Sequence, residues 1–237
     1  MKKTISLILL AALVLSLSAG TCLAAEGEKE ESFLREFTFT TTDLNGNTVT
    51  EELFAENKVT VVNLFASWCG PCRKEIPYFN KVYEAYQQEG VGFIGIWFPS
   101  MDTEENVKAV VEKLGITYPV IAYSEDMTQI PEPSAVPCTF FVDSRGNSID
   151  VTYEEIEAYI IRMYRQIVAD IESGYYDSFF SSEIRKKRTK AAYEAALAKG
   201  DFQEEAGSML SGYPGGVCGS ISEDLLLLLI ADRLTGQ

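Results

Sequence analysis

The residues best placed to do chemistry are Cys69 and Cys72, two thiols separated by Gly70 and Pro71 and preceded by Trp68. They lie between an apolar run, Val59 to Phe65, and a helical pattern running to about Gln88. A cysteine at the amino end of a helix meets unpaired N–H groups and the positive end of the dipole, which favour the thiolate. Cys69 is therefore the predicted nucleophile. Cys72, one turn further in, is the predicted resolving thiol that attacks a mixed disulfide on Cys69 and releases the product. A bare Cys-x-x-Cys also suits half of a zinc site or a structural clip, but zinc needs partners of similar type and the chain has no histidine. The lack of histidine also excludes cysteine–histidine and serine–histidine catalysis and any histidine base. A proton acceptor must then be a carboxylate, a lysine or water. Glu75 stands three residues after Cys72, near the same helix face, where the residues alone read as a solvated helix-start carboxylate favoured by the dipole.

The elements that must position this pair follow from the flanking pattern. Phe37 to Thr42, a turn over Asp43 to Asn47, and Thr48 to Thr50 predict a β-hairpin. Val59 to Phe65 and Val91 to Phe98 are almost uninterrupted apolar runs and predict buried central strands. Pro77 should kink the helix between them, and Gly90 ends it. Asp102 or Thr103 can cap a helix over Glu104 to Leu114 that Gly115 stops, before a short strand over Tyr118 to Tyr123. Val136 to Gly146 predicts a proline-led strand turning back at Asp143-Ser144-Arg145-Gly146. Alternating strands and helices define an α/β fold, a central mixed sheet flanked by helices.

The first 25 residues stand apart. Lys2 and Lys3, the apolar run Ile5 to Leu17 and a small-residue exit to Ala25 read as a secretory signal, cleaved after Ala24 or Ala25. Uncleaved, it is a possible membrane tether, and Cys22 is a weak candidate for lipidation. Export places the remainder outside the cytoplasm, in the periplasm or on the outer face of the membrane, where disulfides persist. Thirty-five acidic against 20 basic residues, a net charge of −15, argue against nucleic acid as a partner.

Trp68-Cys69-Gly70-Pro71-Cys72, the later Val136-Pro137 and the order of elements resemble the thioredoxin superfamily. The amino-terminal hairpin, Asn63-Leu64-Phe65-Ala66-Ser67, Glu75 and the signal segment resemble its exported TlpA/ResA-like thiol-disulfide oxidoreductases, over Phe37 to Gly146. The resemblance implies a redox-active disulfide with no other cofactor. It implies that Pro137 is a cis proline against the sulfurs, that the backbone of Val136 pairs with bound substrate, and that Trp68, Gly70 and Pro71 complete the substrate surface. It also implies that Glu75 tunes the pair and accepts a proton, the more so because Asn63 replaces the buried aspartate of cytosolic thioredoxins. A Gly-Pro pair suggests a reductase, with apocytochrome c or other exported proteins as acceptors and a membrane thiol carrier of the CcdA or DsbD type as donor. A thiol peroxidase is the alternative, although Ala66 stands where its activating threonine is expected; a module binding a soft metal is a second.

Beyond Gly146 such a domain needs only one more strand and helix, roughly 30 residues, yet the chain runs to Gln237. Thr152 and Glu155 predict a capping box for an amphipathic helix through Ile171, and Ser181 or Ser182 begins a second helix ending at Gly200. The expected organisation is a signal at 1–25, a spacer at 26–33, a thioredoxin-like domain at 34–149, a helical insertion at 150–211, and the last strand end and helix at 212–237. Under that reading Cys138 and Cys218 sit on neighbouring strands, as a second pair beside the active site or as two buried thiols. The run Arg185 to Arg188 is a solvated helix face or a docking patch for an acidic partner or anionic lipid.

Overall fold

A computed structural model describes residues 33–235. The expected signal segment with Cys22, and the spacer up to Ser32, lie outside the described residues. Strands β1 (Thr40–Thr42) and β2 (Thr48–Thr50) pair as an antiparallel hairpin. The pairing is shorter than the sequence pattern suggests, because Phe37 and Phe39 turn inward and are buried. After a short helix α1 (Glu52–Ala55) come β3 (Val59–Leu64), α2 (Gly70–Tyr86), β4 (Val91–Trp97), α3 (Glu104–Leu114), β5 (Val120–Ala122), β6 (Cys138–Asp143) and β7 (Ser148–Ile149). Helices α4 (Tyr153–Ser173), α5 (Glu183–Lys199) and α6 (Gln203–Leu210) precede β8 (Val217–Cys218) and α7 (Glu223–Thr235).

In the central sheet the order is β5-β4-β3-β6, parallel except for β6, and both β7 and β8 pair with the outer edge of β6. β7 covers Phe141 and Val142, and β8 covers Cys138 and Thr139. The three-helix excursion therefore leaves the sheet edge after Ile149 and returns to the same edge. Its two ends are tied by the Val151 N–H, which donates to the Gly215 carbonyl at 3.0 Å.

Strand alternation divides the interior into two cores. Val59, Val61, Phe93, Phe141 and Val217 face one core, built with α2, α4 and α7; Val62, Leu64, Ile94, Ile96, Phe140 and Cys138 face the other, closed by Leu34, Phe37, Phe39, Phe54 and Tyr213. Leu225, Leu226, Leu229 and Ile230 of α7 lie in the first core with Ile156 and Ile160 of α4, so the excursion shares the domain's core. Arg233 fixes that junction. It is buried, donates to Glu155 Oε1 at 2.8 Å and to the Asp150 carbonyl at 2.9 Å, and stands 4.3 Å from the Phe141 ring centre.

Local signals explain most boundaries. The Thr152 hydroxyl and the Glu155 carboxylate form a reciprocal capping box at the start of α4. Thr103, not Asp102, caps α3, and α2 runs unbroken through Pro77 from Gly70 to Tyr86. Helix α6 has no such signal: Phe202 at its N-cap offers no side-chain acceptor.

Cys138 and Cys218 form a disulfide, opposite one another across the β6–β8 pair. The chain crosses it at Gly212, where an added Cβ would lie 2.5 Å from the Cys218 Cβ and 2.7 Å from its Sγ. The bridge spans a sequence separation of 80 and so restricts the unfolded chain strongly. Cys138→Ala with Cys218→Ala is expected to lose about 4 kcal/mol of stability by loop entropy. Denaturant unfolding of the oxidised protein measures it, and the active-site pair should still exchange disulfides.

Candidate active site

Cys69 is the N-cap of α2 because its backbone is extended while Gly70 and Pro71 begin the helix, and proline suits a position with no N–H to satisfy. The Cys72 N–H donates to Cys69 Sγ at 3.1 Å. That bond and the helix end stabilise negative charge on one sulfur only. The two cysteines form a disulfide in this structure. Cys69 keeps 3 % exposure and Cys72 none, so an incoming sulfur reaches Cys69 first.

The Val136–Pro137 peptide is cis, and the Val136 carbonyl oxygen lies 3.4 Å from Cys69 Sγ, where the reduced thiol can donate to it. The Pro137 carbonyl accepts from the Gly219 N–H at 2.9 Å, which ties this loop to the end of β8. Around Cys69 the surface consists of Trp68, Gly70 and Pro71, all exposed. The Trp68 ring is 61 % exposed yet fixed, since its Nε1–H donates to the Met101 carbonyl at 3.0 Å. An outward aromatic held at its polar edge is a rigid platform for an apolar partner.

Asp102, expected as a possible helix cap, instead holds the approach to the cysteines. Its Oδ2 accepts from the Ser67 N–H at 2.5 Å and its Oδ1 from the Ser67 hydroxyl at 2.9 Å. A tertiary contact between residues 67 and 102 leaves no trace in either local pattern.

Glu75 is buried, which rejects the solvated-carboxylate alternative. Its Oε1 accepts from Asn63 Nδ2 at 3.0 Å and its Oε2 from the Ile221 N–H at 3.0 Å. Asn63 Nδ2 also donates to the Thr139 hydroxyl at 3.2 Å. Burial pushes the Glu75 carboxyl up to about 8, against the lowering by the Ile221 and Asn63 donors. The Tyr118 hydroxyl is pushed up as well, by burial first and then by the Glu75 charge. Thr139 was missed from the sequence, although its alternation with Cys138 places it on the face shared with Asn63. The Ile221 amide, 146 residues from Glu75, had no readable signal.

The second disulfide lies on the opposite face of the sheet, although Cys138 directly follows Pro137 and the Gly219 N–H next to Cys218 donates to the Pro137 carbonyl. Cys138 belongs to the core opposite the one that holds Cys69 and Cys72, because it alternates with Thr139 along β6. The sheet separates the two sulfur pairs. The described residues contain no group of three or more His, Cys, Asp or Glu side chains placed to hold a metal ion.

A mixed sheet whose helix α2 begins on a Cys-x-x-Cys disulfide, facing a cis proline at the head of β6, defines a thioredoxin-fold thiol-disulfide oxidoreductase. The AhpC/TSA family profile matches residues 35–149. Thiol-disulfide oxidoreductase ResA of Bacillus thuringiensis (strain Al Hakam) is 30 % identical over 128 residues, covering 52 % of this chain and 72 % of that protein. ResA of Geobacillus kaustophilus (strain HTA426) is 27 % identical over 130 residues, with the same coverage of each chain. A solved thiol:disulfide interchange protein of the thioredoxin family from Chlorobium tepidum TLS is 29 % identical, with a TM-score of 0.43 over 48 % of this chain and 81 % of that one. The chain belongs to the ResA-like family of thiol-disulfide oxidoreductases.

Proposed function

We propose that this protein is an extracytoplasmic reductase of disulfides in exported proteins, apocytochrome c among them, recharged by a membrane thiol carrier of the CcdA or DsbD type. The observation that supports it most is the asymmetry of the sulfur pair: Cys69 alone is reachable and alone receives an N–H donor at the helix end. The disulfide is the only redox group the reaction needs. In the reducing direction the Cys69 thiolate attacks one sulfur of a substrate disulfide, forms a mixed disulfide and expels the other sulfur as a thiolate. Cys72 then gives its proton to Glu75 in its ionised form, which burial makes the minor form below about pH 8, and attacks Cys69 Sγ. The second substrate thiolate leaves, and the two electrons of the dithiol have passed to the substrate as Cys69–Cys72 closes. The Val136 backbone and Pro137 align the substrate strand beside Cys69, while Trp68, Gly70 and Pro71 meet its side chains. The apolar amino-terminal run and the ResA relatives support a place outside the cytoplasm.

Cys72→Ser is expected to hold exported substrates on Cys69 as mixed disulfides that mass spectrometry identifies after export. No accumulation in cells would overturn protein disulfide exchange. A measured midpoint above about −150 mV, near the strongly oxidising end of the scale, would overturn the reductase direction. A peroxidase reading gains nothing from the site, since buried Ala66 offers no hydroxyl to a peroxide at Cys69.

A further inference from the structure

Helices α4 and α5 form an antiparallel hairpin: Tyr164 meets Tyr193 edge-on at 4.8 Å, and further out Lys190 pairs with Glu172 at 2.7 Å. One end is rooted in the core through Ile156 and Phe202. The other end, residues 174–188, is a tip that the thiol chemistry does not use. Six large apolar side chains are strongly exposed among the described residues, and three of them, Tyr175 at 71 %, Phe179 at 77 % and Ile184 at 66 %, lie on this tip. Tyr176 packs edge-on against both Tyr175 and Phe179, which makes the aromatic group one cluster.

Around that cluster the charge balance reverses that of the chain. Residues 172–190 carry five basic against three acidic side chains. Lys186 is neutralised by Asp177, and Lys190 by Glu172 and Glu194. Arg185, Lys187 and Arg188 are exposed and have no ion-pair partner among the described residues. Glu183 is the one carboxylate of this stretch left to oppose them.

We propose that this tip docks on the surface of a bilayer containing anionic phospholipid. An acidic protein segment would satisfy the cations but leaves the outward aromatics without a purpose. A bilayer interface takes both, with aromatic rings at headgroup depth and Lys or Arg beside lipid phosphates. Such a contact is weak alone and becomes useful as the second of two attachments. The apolar run near the amino terminus can supply the first. The docking holds independently of the thiol reaction.

The test is co-sedimentation of the full chain with vesicles of phosphatidylcholine alone or with about one third phosphatidylglycerol. The variant Arg185→Glu, Lys187→Glu, Arg188→Glu is expected to bind the anionic vesicles on the order of 100-fold more weakly than the native chain, with equal binding to pure phosphatidylcholine. Phe179→Ser, which keeps every charge, is expected to lose about tenfold on the anionic vesicles. Far-UV circular dichroism should be unchanged in both, because the side chains are exposed. Equal affinity of native and charge-reversed chains for anionic vesicles would overturn the proposal. So would a charge-dependent affinity seen only for a soluble polyglutamate peptide and indifferent to Phe179.

Discussion

Cys69→Ser is expected to abolish reduction of protein disulfides, by on the order of a thousandfold or more, and to leave the fold intact. Serine fits the N-cap position and can still accept from the Cys72 N–H, so α2 keeps its start. What disappears is the one sulfur that is both reachable and charge-stabilised. Cys72 cannot substitute, because it has no exposed surface and no helix-end donor of its own. Cys72→Ser separates the two roles by retaining the first attack and losing the release. The pair of variants is read with an exported disulfide substrate, by turnover for the first and by mixed-disulfide yield for the second. Equal residual turnover in both would show that the sulfurs are interchangeable, against the assignment made from burial.

Glu75→Gln is expected to change two pH profiles at once. With the native carboxyl near 8, against an ordinary value of 4.5, the folded protein holds a proton that the unfolded chain releases. Stability at Glu75 is therefore full below about pH 4.5 and is lost as pH rises toward 8, by about 4 kcal/mol across that window. Glutamine has no such proton, so the variant should lack this slope and be the more stable protein at pH 8. Its amide fits the site. Asn63 Oδ1 is buried without a partner, so a flip of the Asn63 amide lets that oxygen accept from the glutamine NH₂ while the glutamine oxygen accepts from Ile221. Denaturant midpoints at pH 5, 6.5 and 8 measure the effect. The second profile is catalytic. The native carboxyl is mostly protonated near pH 7 and becomes the carboxylate that takes the Cys72 proton as pH rises toward 8, so Glu75→Gln should slow resolution of the mixed disulfide by about tenfold at pH 8 and by less near pH 7. A merely structural Glu75 would leave that rate profile unmoved while still altering stability.

These effects depend on parts of the molecule that differ in how visible they are before folding. Cys69, Cys72 and the helix they open are legible because the strand run, the Gly-Pro pair and the 3.6-residue pattern after it are all local. The same holds for the capping box of Thr152 and Glu155, the Ser182 cap of α5 and the glycine stops at Gly115 and Gly200. Pro137 and Glu75 were placed by resemblance to a family, and geometry then supplied their contacts. α6 escaped notice because it lacks a capping side chain and is held by packing of Ala206 and its neighbours against α4 and β8.

What the sequence by itself determined is the reaction: two cysteines at a helix start in a chain without histidine, on an α/β framework whose turns and caps depend on near neighbours. Tertiary structure alone decided the environment of that pair. Residues 67 and 102, 75 and 221, and 138 and 218 meet only when separate elements close on one sheet, and no local period encodes those distances. It also decided that Cys138 and Cys218 pair on the face opposite Cys69 and Cys72. One residue of strand register puts Thr139 against Asn63, the partner of Glu75, and Cys138 on the other face of the sheet, and that register is set by burial on both faces together.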